Sequence, residues 1–186
     1  MQKRAYGCFA ALLSYPLTKE MPDFESIIAA LPGDCHLRIA SFREVMETLS
    51  VEAQQELFTQ TFDLNPVCSL EVGWHLFGEN YERGLLLVRL REELRAAEIR
   101  EEGELPDHLT YTLRLLPTME AGRAADFAGA IVLPALVKMI QALQGKNNVY
   151  EDLLTCVAVM LRNDFPEISL PETKIELPVL PEEVAL

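Results

Sequence analysis

The apolar residues of this chain recur every three or four positions over almost its whole length. Phe24, Ile27 and Leu31 show this spacing, which places their side chains on one face of an α-helix. No run alternates apolar and polar residues for long enough to predict a β-strand. Proline and glycine interrupt the pattern and mark helix ends. The pattern predicts about eight or nine helices, near residues 4–15, 24–31, 35–49, 51–63, 69–77, 80–99, 107–116, 118–144 and 149–162.

We therefore expect an all-α fold, a single bundle-like domain over residues 1–162. Pro134 lies inside the predicted helix 118–144 and is expected to kink or divide it. Residues 163–186 differ in composition, because proline and glutamate alternate with short apolar stretches. We expect this tail to be extended or partly disordered.

The formal net charge is −13. Nucleic acids are bound without sequence preference by proteins with a surplus of lysine and arginine, so the charge argues against a nucleic-acid partner. Through long-range attraction it favours a basic partner.

No segment of the sequence predicts membrane insertion or targeting. The longest apolar stretch, 127–143, contains Pro134 and Lys138, whereas a bilayer span needs about 20 apolar residues with little charge. The N-terminal residues begin with basic side chains, but no small-residue cleavage site follows, so they are predicted to form an amphipathic first helix. We expect a soluble cytoplasmic protein.

Signatures of metal binding and catalysis are missing from the sequence. The four cysteines are scattered without a C-x-x-C pair, and the three histidines lack the spacing of metal ligands. The cysteines are therefore predicted to be buried thiols of a reducing compartment. Neither a phosphate-binding loop nor a nucleophile motif is present. We predict no enzymatic activity and no cofactor.

Asp107 and His108 follow Pro106 directly ahead of a helical pattern. Aspartate is a favoured N-cap and proline suits a helix entry, so capping by Asp107 is one interpretation. The other is that the pair contacts a ligand. In that case, alanine at both positions is expected to weaken binding while leaving the helix content nearly unchanged.

Three longer segments carry a family resemblance. They are "ELFTQTFDLNP" (56–66), "HLFGENYERGLLLVRLREEL" (75–94) and "GELPDHLTYTLRLLP" (103–117). In this order, they resemble the nitrate reductase molybdenum cofactor assembly chaperones, the NarJ branch of the TorD-like redox-enzyme maturation proteins. The resemblance is firm over residues 56–117 and weaker on either side.

The resemblance implies an all-helical cytoplasmic chaperone without catalytic turnover. Its partner would be the apo catalytic subunit of a molybdenum oxidoreductase, bound through the subunit's N-terminal peptide, often a twin-arginine signal or its remnant, until the cofactor is inserted. The implied contact positions are Glu104, Pro106, Asp107 and His108, with Phe58, Phe62, Asp63 and Pro66 nearby. His75, Arg83 and Gly84 match the family pattern as packing residues.

Binding an amphipathic basic segment needs an apolar groove and carboxylates at its rim. Phe58, Phe62 and Trp74 are candidates for the groove, and each is also a candidate for the core. Asp107 is the candidate rim carboxylate nearest the helix, and three glutamates precede it: Glu101, Glu102 and Glu104.

Three other functions stay open at the level of the sequence. The client of the chaperone could be a dimethyl sulfoxide or trimethylamine oxide reductase. Alternatively, the protein could be a nucleotide-binding helical protein, or an adaptor that binds another helix. The chain could act as a monomer or as a domain-swapped dimer.

Overall fold

The computed structural model describes residues 2–65 and 67–167, and within these ranges the chain is helical without a β-strand. The α-helical segments are α1 (Gln2–Leu12), α2 (Phe24–Ile28), α3 (Gly33–Thr48), α4 (Val51–Phe58), α5 (Val72–Phe77), α6 (Tyr81–Ala96), α7 (Leu109–Leu115), α8 (Ala121–Phe127), α9 (Leu133–Leu143) and α10 (Tyr150–Asp164). α8 and α9 are parts of one continuous helix, Ala121–Leu143. The segments α1 to α10 therefore form nine helices in the described part. The predicted all-α fold of about eight or nine helices is confirmed.

Side chains that accept backbone hydrogen bonds define several helix starts. Asp23 accepts from the N–H of Ser26 at the start of α2, and Ser50 accepts from the N–H of Ala53 at the start of α4. Glu120 caps α8 in the same way. Each cap satisfies a donor that has no partner inside the helix, which is worth about 1 kcal/mol.

The long helix 121–143 contains a π-helical turn, Ala128–Val132, which ends two residues before Pro134. Proline has no N–H to donate to the carbonyl four residues earlier, and its ring crowds that carbonyl. A π-helical turn adds one residue to the helical ring, so the helix continues past the proline without breaking. A second π-helical turn, Thr59–Asp63, extends α4.

The core is built around the paired helices α1 and α7, and around α10, which packs between α3 and α9. Phe9, Leu113 and Leu136 are fully buried there. All four cysteines are buried free thiols, as predicted. A smaller cluster of Leu90, Leu94, Tyr111 and Leu115 joins α6 to α7.

Ala121–Leu143 has the length and hydropathy of a membrane-spanning helix, alone among the described helices. Half of its most apolar stretch is buried within the body of the protein, as in core helices of globular proteins. Length and composition are the only features that link it to a membrane.

The helical body continues two residues past the predicted limit, since α10 ends at Asp164. Most of the predicted tail, residues 168–186, lies outside the described residues.

Candidate functional site

The segment that leads into α7 is fixed by backbone pairing with the segment that leads into α5. The N–H of Val72 donates to the carbonyl of Asp107 at 2.9 Å, and the N–H of Leu109 donates to the carbonyl of Leu70 at 2.8 Å. These two bonds form an isolated antiparallel bridge between Glu71 and His108. The backbone around residues 107–109 is therefore held rigidly at the start of α7.

Asp107 points into the protein and pairs with Arg83 of α6. Its side chain is 0% exposed, and Arg83 Nε donates to Asp107 Oδ2 at 2.9 Å. The guanidinium carbon of Arg83 also lies 5.6 Å from the ring centroid of Trp74. A Cβ at Gly73 would lie 2.7 Å from Asp107 Oδ2, so only glycine lets α5 approach the carboxylate this closely. Asp107 thus joins α5, α6 and α7 in the interior.

The N-cap of α7 is His108, which corrects the interpretation that Asp107 caps this helix. His108 Nδ1 accepts from the N–H of Thr110 at 3.4 Å, and the Thr110 hydroxyl lies 2.7 Å from the same nitrogen. Because Nδ1 is an acceptor, the neutral ring carries its proton on Nε2. The carboxylate of Asp107 is directed to Arg83 of α6 instead.

Burial lowers the pKa of His108 and that of His75 below the ordinary value of 6.5. The neighbouring carboxylates oppose the shift at His108. They belong to Glu104, Glu71, Asp107 and Asp63, in decreasing order of effect.

Acidification is therefore expected to destabilise the protein. Below pH 6.5 the histidines of the unfolded chain bind protons that those of the folded chain do not bind. The free energy of unfolding therefore decreases as the pH is lowered, by at most about 1.4 kcal/mol per pH unit for each histidine. Urea unfolding between about pH 7.5 and about pH 5.5 measures this dependence. His108→Asn keeps a capping side chain but does not titrate there, so it should weaken the dependence. If the free energy of unfolding of His108→Asn depends on pH as strongly as that of the wild type, His108 does not contribute to the pH dependence.

A hollow of about 440 Å³ opens between α1 and the segment 102–114. One wall consists of Gly7, Ala10 and Ala11 of α1 and of Ser14 just beyond its end, with Tyr15, Leu17 and Phe58 also lining the hollow. The other wall consists of Glu102, Glu104, His108, Thr110, Tyr111 and Arg114. The backbone N–H of Glu102 donates to the hydroxyl of Tyr111, which holds the acidic segment against α7.

The carboxylates of Glu102 and Glu104 make no ion pair or hydrogen bond to another side chain within 2–65 and 67–167. Glu101, by contrast, pairs with Arg91 at 3.1 Å. The hollow is therefore edged by two carboxylates that remain available to a cation from outside.

The structure brings three of the predicted contact residues to this hollow: Phe58, Glu104 and His108. Pro106 and Phe62 are buried away from it, and Asp63 is exposed on the turn after α4. Trp74 is half-buried beside Arg83. Pro66 lies outside the described residues. Asp107 is not a rim carboxylate, because it is fully buried in the pair with Arg83.

Phe58 and Phe62 belong to one aromatic cluster. Their ring centroids lie 5.0 Å apart, and Phe62 packs edge-on against Tyr150 at 4.7 Å. Tyr15 contacts Phe58 from the side of the hollow at 5.6 Å. Phe58 therefore serves both as core and as lining of the hollow, whereas Phe62 is core.

The contribution of α1 to the hollow was not predicted. Gly7, Ala11 and Ser14 are exposed; Gly7 and Ala11 are four residues apart on one face of α1, and Ser14 follows the end of the helix. The spacing of these small residues was the sequence signal for this wall of the hollow. Small residues, however, do not contribute to the apolar periodicity from which the helices were predicted. In the described part of the chain, no group of three or more metal-ligand side chains could hold a metal ion.

Two comparisons of the sequence with known proteins identify the family of this chain. The profile of the nitrate reductase delta subunit matches residues 29–150. A similar protein is the probable nitrate reductase molybdenum cofactor assembly chaperone NarJ of Bacillus subtilis (strain 168), which is 27% identical over 164 residues, covering 85% of this chain and 88% of that protein. The match to the family covers more than half of the sequence, including α3 to α9. The chain therefore belongs to the nitrate reductase delta subunit family, a family of maturation factors rather than enzymes.

Proposed function

We propose that this protein is a cytoplasmic chaperone for the molybdenum cofactor assembly of a nitrate reductase. It would bind the N-terminal segment of the apo catalytic subunit and keep the subunit competent for insertion of the cofactor. The family and the similar NarJ protein support the class of function. The hollow between α1 and α7, with its free rim carboxylates, is the observation that supports peptide binding.

The lining of the hollow suits a segment that carries both apolar and basic residues. Tyr15, Leu17 and Phe58 offer apolar surface, and apolar area removed from water contributes about 25 cal/mol per Å². Glu102 and Glu104 lie where a lysine or arginine of the same segment would meet them. The net charge of −13 attracts such a segment from a distance.

Removing the rim charges is expected to weaken binding of the client. Glu102→Gln together with Glu104→Gln should lower the affinity about fivefold for a labelled peptide of the nitrate reductase N-terminus, since an exposed ion pair is worth about 0.2–1 kcal/mol. The loss should shrink at high salt because the attraction is screened. Fluorescence anisotropy measures both effects.

The matched control is Glu79→Gln with Glu82→Gln, which changes the net charge equally at exposed positions outside the hollow. Equal losses in the two double variants would mean that net charge and not the hollow attracts the peptide. Peptides from dimethyl sulfoxide and trimethylamine oxide reductases in the same assay test the specificity for the client.

A further inference from the structure

The hollow carries opposite charges at the two ends of α7. Glu102 and Glu104 precede the helix, whereas Arg114 lies in its last turn, and all three line the hollow. The carboxylate of Glu104 acts on His108 at the start of α7, and Arg114 lies six residues beyond His108, about 9 Å along the helix axis. A segment bound along α7 would therefore meet the carboxylate of Glu104 first, pass Glu102 beside Tyr111, and meet the guanidinium of Arg114 in the last turn.

Arg114 is half-buried yet makes no ion pair or hydrogen bond within the described residues. The half-buried Arg38 and Arg83 differ, because they pair with Asp152 and Asp107. A guanidinium has five N–H donors, which at Arg114 can bind an acceptor that enters the hollow. The hollow is the side from which an acceptor can reach Arg114.

We propose that Arg114 binds a carboxylate of the client's N-terminal segment, while Glu102 and Glu104 bind a basic side chain of that segment. This inference rests on the proposed function. In a helical client segment, residues seven positions apart lie on one face and are separated by about 10.5 Å, close to the rise of about 9 Å between His108 and Arg114. The recognised feature is therefore a basic residue and an acidic residue two helical turns apart.

The charges also select the direction of the bound helix. The N-terminus of a helix carries a partial positive charge and its C-terminus a partial negative charge. The favourable orientation places the client's N-terminal end beside the glutamates and its C-terminal end beside Arg114, parallel to α7. The basic residue then precedes the acidic one in the client. Gly7 on the opposite wall leaves room for such a helix, since a Cβ there would meet open space.

The test uses two versions of the labelled client peptide that differ at one position. Both peptides carry a lysine at the position that would meet Glu102 and Glu104. Seven residues later, one peptide has glutamate and the other has glutamine. Binding to the wild-type protein and to Arg114→Gln is measured by fluorescence anisotropy. Wild-type protein should bind the glutamate peptide about tenfold more tightly, as expected for a hydrogen bond between charged groups, and Arg114→Gln should bind both peptides alike.

A charge exchange gives an independent control. Arg114→Glu should prefer a third peptide that has lysine at the acidic position, a preference that altered folding alone would not produce. Equal affinities of the wild type for the glutamate and glutamine peptides would overturn the role of Arg114 and leave the proposed function intact. If the wild type binds neither peptide, the proposed function fails together with this inference.

Discussion

Replacing Asp107 with alanine is expected to lower the free energy of unfolding by about 3–5 kcal/mol, because it leaves a buried charge without its partner. Arg83 is 15% exposed and donates to both carboxylate oxygens, through Nε at 2.9 Å and Nη2 at 3.4 Å. Urea denaturation followed by circular dichroism measures the loss. The backbone hydrogen bond of Asp107 does not involve its side chain and should persist in the alanine variant. The loss of stability should therefore come from the broken ion pair.

Removing both charges provides the control. Arg83→Met combined with Asp107→Leu replaces the ion pair by apolar side chains, a change that is often nearly neutral in protein interiors. The double variant should therefore be more stable than Asp107→Ala. An Asp107→Ala protein within about 0.5 kcal/mol of the wild type would contradict the account of this pair.

This result bears on the ligand interpretation of Asp107–His108. That interpretation expected alanine at both positions to weaken binding while preserving the helices. Because the Asp107 carboxylate joins three helices, replacing Asp107 with alanine is expected to lower the stability of the fold. Such a variant tests folding and not binding. Variants that test binding must be placed in the hollow itself.

The helices followed from the sequence because their determinants are local. Apolar spacing, with Pro22, Pro32 and Pro117 near the breaks, located each helix to within a few residues. The π-helical turns were not predicted, since a single extra residue barely disturbs the periodicity. Pro134 nevertheless indicated where the long helix departs from regular geometry.

The candidate site was predicted only in part because it depends on contacts between distant segments. The acidic residues before α7 were identified from their resemblance and charge, but local periodicity cannot show that α1 lies opposite them. Arg83 and Asp107 are 24 positions apart, so local periodicity could not predict their ion pair either. An aspartate before a helix has a common local role as a cap, and here a tertiary ion pair overrides it.

Filling the hollow is expected to abolish client binding. Ala11 is exposed on α1 and lines the hollow, so Ala11→Trp places an indole where the client segment would lie. Loss of the apolar contacts and exclusion of the segment should lower the affinity by about 100-fold or more. Helix stability should change little, because alanine and tryptophan differ by less than about 1 kcal/mol in helix propensity.

Ala40 of α3 gives a matched control, because it is also an exposed helical alanine and lies outside the hollow. Ala40→Trp should bind the client peptide as the wild type does. The decisive measurement is the affinity of the nitrate reductase N-terminal peptide for these two variants, compared in one titration series. Binding lost in Ala11→Trp and retained in Ala40→Trp is the predicted result. Wild-type affinity in a folded Ala11→Trp protein would contradict the assignment of the hollow as the client site.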